Sequence, residues 1–306
     1  MRIIKKTSID FMSKSNITKM LSLTVITLGV ISLIFNNGPK LSIDFKGGTL
    51  IAVNYTDAID INDVRSSMAE VNIEGQVFDF SKAEIKHFGD PSNVALRIAS
   101  FENEPENFAK SLIAKMSSLY PNSIPIDEND FVLSIEKVGP KIGAELRGDA
   151  VMAIISALFL ILIYITIRFE LKYAVGAIAA LAHDVLVTLG IFSLFGYEIS
   201  LAVIAAFLTI VGYSLNDTIV IFDRVRENSK LLKKTGLTSV INRSINDSLS
   251  RTIVTSLTTF FVVLILFIFG GEVLHTFSFA MIIGVVVGTY SSIFVASPVV
   301  IYMNKR

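Results

Sequence analysis

With 306 residues, 52% of them hydrophobic, and a mean hydropathy of +0.63, the chain is more apolar than a soluble core requires and reads as an integral membrane protein. Its 27 basic and 27 acidic residues cancel, so no global charge points to nucleic acid as a partner. The absence of cysteine excludes disulfides and thiolate metal sites, and three scattered histidines, His87, His183 and His275, give no basis for a metal cluster or a cofactor.

The chain opens with Arg2, Lys5, Lys6, Lys14 and Lys19 around the start of an apolar run at 17–35. That arrangement resembles a signal peptide, but the run is long enough to span a bilayer. It also ends in Asn36, Asn37, Gly38 and Pro39 without a small-residue cleavage site, so it is read as an uncleaved first helix. Residues 36–149 are large enough for a domain of their own. Their pattern predicts a strand at 49–55, a helix at 61–71, strands at 76–80 and 84–88 (the latter extended by 94–98), a helix at 105–119 and a strand at 131–137. Asp60 is placed to cap the first helix, on which Ile61, Val64, Met68 and Val71 recur at helical spacing. The order β-α-β-β-α-β is that of a ferredoxin-like unit. Gly47-Gly48 lacks the Lys-Ser or Lys-Thr of a phosphate loop and reads as a turn entering the first strand.

Five more apolar runs follow, at 150–167, 173–194, 199–222, 252–269 and within 274–303. Even eighteen residues of helix reach about 27 Å, enough for a hydrocarbon core. The fold class is therefore an integral membrane α-helical protein: a six-helix bundle with one α+β, ferredoxin-like domain outside the cytoplasm. Basic residues set the orientation. Arg168 and Lys172 follow the second span, and Arg224, Arg226, Lys230, Lys233, Lys234, Arg243 and Arg251 lie between the fourth and fifth. Lys305 and Arg306 end the chain, whereas 195–198 and 270–272 hold no Lys or Arg. The expected layout is a cytoplasmic N-terminus (1–16), a first span (17–35), an extracytoplasmic domain (36–149), spans two to six (150–303) and a cytoplasmic tail (304–306). The basic stretch 230–234 reads as a solvated face able to touch anionic membrane lipid.

Ionisable side chains interrupt the span interiors at His183 and Asp184 in the third run and Asp217, next to Asn216, in the fourth. A carboxylate facing the bilayer centre costs roughly 2.5–3.5 kcal/mol on insertion scales, so such acids face a pathway or a partner. Polar glue between helices is the bland alternative. Adjacent His183 and Asp184 are expected on helix faces about 100° apart. Arg251 enters the fifth span from the side near which Asp217 lies, and its long stem can reach into the bundle or snorkel outward. Desolvation favours the neutral acid and a guanidinium the charged one, so movement of Arg251 would switch Asp217 between holding and releasing a proton. Gly284 and Gly288 form a small-residue packing face. No nucleophile-base-acid set of a hydrolase is present, and the chain is not read as an enzyme.

Several stretches, in order, carry a resemblance. They are Asp44-Phe45-Lys46-Gly47-Gly48-Thr49, Val138-Gly139-Pro140 with Gly143, Glu145 and Leu146, and His183-Asp184. Asn216-Asp217 through Asp223, Arg224 and Asn228, and Arg251-Thr252 with Thr255-Ser256-Leu257-Thr258-Thr259, complete the set. Together they resemble the SecF subunits of the bacterial Sec protein-export machinery, within the resistance-nodulation-division superfamily of proton-driven membrane proteins. The resemblance implies a multi-pass protein of the bacterial inner membrane that works with SecD and the SecYEG channel, with YajC as a further candidate partner and preproteins as substrate. It also implies that the proton gradient is coupled to export, with Asp217 as the transmembrane acid, Arg251 as a functional arginine and His183-Asp184 as a further motif. A proton-coupled small-solute transporter of the same superfamily and a purely structural translocon subunit are the rival readings.

Overall fold

The computed structural model describes residues 7–101, 104–127 and 130–304. Arg2, Lys5, Lys6, Lys305 and Arg306, which entered the orientation argument, lie outside the described residues. The chain divides into two compact units, residues 41–151 and the remainder.

A short 3₁₀ turn at Met12–Lys14 leads into α1 (Ser15–Phe35). The α+β unit then runs α2 (Ile43–Lys46), β1 (Gly48–Asn54), α3 (Ile61–Ser67), β2 (Val71–Ile73), β3 (Gln76–Phe78), β4 (Glu84–Phe88), β5 (Asp90–Ala99), α4 (Phe108–Leu119) and β6 (Val132–Val138). Four strands form one antiparallel sheet in the order β4-β5-β1-β6, the ferredoxin-like arrangement. β1 is covered on both faces, which is why its sequence is apolar on both. Ile51, Val53 and Tyr55 pack with Val94, Leu96 and Ile98 under Val64 of α3 and Phe108, Leu112 and Met116 of α4. Leu50, Ala52 and Ala95 pack with Ile43 of α2.

The architecture agrees with the sequence pattern, but two strand assignments do not. The helix expected at 61–71 ends at Ser67, and Val71 instead opens a hairpin of β2 and β3. Glu74 and Gly75 both take positive φ, 55° and 85°, the two-residue turn that matches strand twist, and the Gly75 N–H donates to Asn72 Oδ1 at 3.0 Å. This hairpin absorbs the predicted strand at 76–80. The second and third strands of the main sheet are therefore β4 and β5, paired antiparallel rather than continuous.

Gly47 and Gly48 are a turn into β1, with φ of 74° and 146°. A Cβ on Gly48 would stand 2.5 Å from the Ile98 carbonyl, one on Gly47 2.9 Å from Pro140 Cα, and one on Gly143 3.0 Å from the Gly47 nitrogen. Two motifs ninety residues apart in the chain are thus a single close contact that only glycine permits.

The remaining helices are α5 (Pro140–Arg168), α6 (Leu171–Phe195), α7 (Leu201–Leu231), α8 (Leu237–Phe269), α9 (Gly271–Ser291) and, after a π-helical turn at Ser292–Ala296, α10 (Ser297–Asn304). Six helical stretches among the described residues are long and apolar enough to cross a membrane. In the most apolar window of each, 50% of α6, 50% of α7 and 56% of the α9–α10 stretch is buried, against 6% for α1, 11% for α5 and 17% for α8. The bundle therefore has a three-helix centre with peripheral helices around it. Apolar α9 does not run straight through to residue 303: Pro298 lacks an N–H, and the wider π turn ahead of it absorbs the missing ladder bond.

The connection expected between the fourth and fifth spans is the largest correction. α7 continues to Leu231 and α8 begins at Leu237, so 223–251 is a helical hairpin with a five-residue turn rather than a loop. Val240, Ile241, Ser244, Ile245, Ser248 and Leu249 are its buried face, spaced at helical period although too polar overall to read as a span. Asn228 Nδ2 donates to Ser244 Oγ (3.0 Å) and Asp247 Oδ2 (3.1 Å) across it. The segment before α1 docks on the same hairpin: Asn246 accepts from the Ile9 N–H at 2.9 Å and donates to the Ile9 carbonyl at 2.8 Å, while Asn242 Oδ1 accepts from the Met12 N–H at 3.0 Å. Phe11 and Met12 are buried there.

Candidate functional site

In the bundle the polar residues turn inward and the large apolar ones outward. Asp184 is fully buried on α6. Its Oδ2 accepts from Ser214 Oγ of α7 at 2.5 Å and from Ser291 Oγ of α9 at 2.8 Å. Its Oδ1 faces His183 Nδ1 at 3.0 Å, so the neighbouring His and Asp do not diverge by 100° as their Cα positions alone suggest. Both side chains fold toward each other because α7 and α9 cover one side of this turn and α1 the other. His183 Nε2 meets Ser22 Oγ of α1 at 3.0 Å. Ser22 Oγ also meets Tyr290 Oη at 3.0 Å, and Tyr290 Oη donates to the Thr18 carbonyl at 2.7 Å. The Tyr290 ring stacks on His183 with centroids 5.9 Å apart.

Asp217 lies on α7 three residues beyond Ser214 and is 4% exposed. It is held more loosely than Asp184. Its hydrogen bond is from Ser256 Oγ of α8 at 3.5 Å, and Ser256 Oγ in turn sits 2.7 Å from Thr289 Oγ1 of α9. Arg251 is exposed and within coulombic range of Asp217, but no ion pair joins the two among the described residues. Asn216, next to Asp217, points the other way and is exposed. The structure thus brings together His183 and Asp184, places Asp217 one turn further along the same α7 face, and leaves Asn216 and Arg251 on the outside of the chain.

Close helix approach makes this packing possible. A Cβ on Gly288 would stand 3.0 Å from Ser214 Cβ, and one on Gly284 would collide with Ile210. The two glycines seat α9 against α7 at the level where Ser214 and Ser291 reach Asp184. Sequence reasoning left out Ser22, Ser214, Thr289, Tyr290 and Ser291, and met Ser256 only within a longer motif. Their signal is a hydroxyl in an otherwise apolar run, but hydroxyls can bond their own helix, as Thr209 and Thr258 do here. Only the packing separates those from the ones that cross between helices.

A family profile described as the C-terminal part of the protein export membrane protein SecD/SecF matches residues 123–306, and the SecD/SecF GG motif matches residues 32–59. The chain belongs to the SecD/SecF family, in its SecF branch. It is 45% identical to the protein translocase subunit SecF of Calditerrivibrio nitroreducens over 100% of this chain and 97% of that one. The corresponding subunit of Rhodothermus marinus is 42% identical over 100% of this chain and 96% of that one. A crystal structure of SecDF from Thermus thermophilus, a translocon-associated membrane protein, superposes with a TM-score of 0.83 at 37% identity. It covers 98% of this chain, which spans 39% of that longer one. Family membership and six apolar spans make this a multi-pass protein of the inner membrane. The GG profile covers the Gly47-Gly48 turn, and the larger profile covers every helix that supplies the buried acids.

Proposed function

We propose that this chain is a non-enzymatic subunit of the Sec translocon that, with SecD, couples the proton gradient to protein export. The reading places both termini in the cytoplasm and the α+β domain on the far side. The observation that carries it is Asp217: a buried carboxylate with one long hydrogen bond and no ion-pair partner among the described residues. An acid so lightly held is available to bind and release a proton. Moving one charge through 100 mV supplies about 2.3 kcal/mol, comparable to the cost of placing the acid there.

Asn216 and Arg251 are exposed on this chain alone, a placement that suits contact with the second half of a twelve-span assembly, which SecD would supply. Approach of Arg251 to Asp217 on assembly or movement would favour proton release, and its withdrawal would favour uptake. His183 and Asp184, hydrogen-bonded on four helices, form a second proton-handling position in the same reading. SecYEG, with YajC as a further partner, would receive the resulting motion, and preproteins would be met by the α+β domain. A small-solute transporter needs a polar pocket, whereas the groove of about 460 Å³ between α5, α6 and α7 is lined by residues such as Ile154, Leu158, Ile178, Leu181, Phe207 and Val211.

The test is Asp217→Asn in vesicles carrying the assembled translocon. Export driven by an imposed proton gradient is expected to fall to the level seen with the gradient collapsed. Full gradient-driven export by that variant would leave a structural clamp as the better account.

A further inference from the structure

The hydrogen bonds around His183 can be counted proton by proton, and one assignment gives every contact a donor. Tyr290 Oη has a single proton and donates it to the Thr18 carbonyl at 2.7 Å. In the 3.0 Å contact between Ser22 Oγ and Tyr290 Oη the donor must then be Ser22. With its own proton committed, Ser22 can only accept from His183, 3.0 Å away, so Nε2 carries a hydrogen. On the other side of the ring, Asp184 Oδ2 already accepts from Ser214 and Ser291. Oδ1 and His183 Nδ1 stand 3.0 Å apart. Bare nitrogen and bare carboxylate oxygen at that distance in a buried site would set two lone pairs against each other. One further proton between them gives that contact its donor.

We propose that His183 and Asp184 hold one exchangeable proton between Nδ1 and Oδ1, and that Ser22 and Tyr290 are the residues that couple its presence to the link between α1 and α9. When the proton is bound, the pair is neutral overall and donors run in one direction: His183 Nε2–H to Ser22, Ser22 to Tyr290, Tyr290 to the Thr18 carbonyl. When it leaves to water, the pair carries a net charge of −1. The remaining imidazole proton moves to Nδ1 to serve Asp184, and Nε2 becomes an acceptor. Ser22 must then turn its hydrogen from Tyr290 to Nε2. The Ser22–Tyr290 bond loses its proton, and two lone pairs face each other where α1 met α9.

The surroundings bear on where this proton is held. α9 brings Tyr290 and Ser291; α7 brings Ser214, with Asp217 three residues further on; α1 brings Ser22, with Lys19 exposed one turn away. No cation is hydrogen-bonded or ion-paired to the pair among the described residues, so the proton itself supplies the compensating charge. The inference deepens the proton-coupled reading and rests on it only for what the released proton is used for.

The test is the ¹⁵N spectrum of the histidine rings in the full chain co-assembled with SecD in lipid nanodiscs, with the His183 signals assigned by their loss in His183→Gln. At neutral pH, Nε2 is expected protonated and Nδ1 in a shared-proton hydrogen bond. When the shared proton is lost, the ring carries its hydrogen on Nδ1 and Nε2 is bare. Tyr290→Phe removes the acceptor that holds Ser22 away from Nε2, so at the same pH a larger share of the rings is expected in that Nδ1–H form. Ser22→Thr, which keeps the hydroxyl, is expected to show the same ratio of the two forms as the natural protein. A bare Nε2 at neutral pH, or a ratio of the two forms unmoved by Tyr290→Phe, would overturn the proposal. The measurement involves neither a gradient nor export, so it can fail while the Asp217 reading stands, and the reverse.

Discussion

The two compact units solve opposite problems with the same hydrogen-bonding groups. In the α+β domain the core is largely apolar, with Ser42 and Thr49 buried beside it, and the buried phenol of Tyr55 reaches the Met116 carbonyl at 2.8 Å. In the bundle the core contains His183, Asp184, Asp217 and a set of hydroxyls, while Phe159, Leu160, Phe261 and Ile265 are exposed. Water drives the first arrangement, because burying apolar surface is what stabilises it. Lipid removes that drive, so helix association in the bundle depends on close packing and on hydrogen bonds between helices. Under the proposed function, the groups that hold the bundle together are also the ones that carry a proton.

Three substitutions would sharpen or break this contrast, beyond the two tests above. Leu112→Ala, in the fully buried face of α4, is expected to destabilise the α+β domain by about 2–5 kcal/mol. Hydrogen exchange should localise the loss to residues 41–151; an equal loss of protection in α6 and α7 would mean that the two units do not unfold independently.

Gly288→Val places a branched side chain where Ser214 already stands at 3.0 Å and is expected to cost about 1–3 kcal/mol by overpacking. Its effect should appear in the bundle, as a lowered thermal midpoint in nanodiscs, and not in the domain. An unchanged midpoint would show that α7 and α9 can separate without penalty.

Tyr55→Phe removes one buried hydrogen bond and is expected to cost about 0.5–1.5 kcal/mol. Burial, with Tyr120 nearby, pushes the Tyr55 hydroxyl above the usual phenol value. The neutral phenol is thus favoured in the fold, and its contribution is fully present below about pH 10 and lost as the pH rises further. Circular dichroism of the domain across alkaline pH should show a shallower loss for Tyr55→Phe than for the natural protein. Parallel profiles would assign that loss to other groups.

Much of the fold was legible because its strongest signals are local. Apolar runs of spanning length gave six helices, and alternation at 49–55 gave β1. The hairpin of β2 and β3 was less visible, since three-residue strands carry too little alternation and Glu74 is an uncommon residue for a positive φ. The extensions of α7 and α8 were missed for a different reason. Their buried face includes Asn228, Ser244 and Ser248, so hydropathy marks them as loop while periodicity marks them as helix.

The sequence by itself determined that this is a six-span membrane protein, that a ferredoxin-like domain lies between the first two spans, and that His183, Asp184 and Asp217 are the costly residues within it. Those follow from composition and period, which act within a few residues of chain. What only the tertiary structure decided is the partner of each costly group. Asp184 is bound by hydroxyls from α7 and α9, His183 by α1 through Ser22 and Asp217 by Ser256, while Arg251 forms no ion pair with Asp217 among the described residues. A hydroxyl 30 or 107 residues away becomes a ligand only when helices pack, because side-chain hydrogen bonds reach about 3 Å and sequence distance says nothing about which helices will be neighbours.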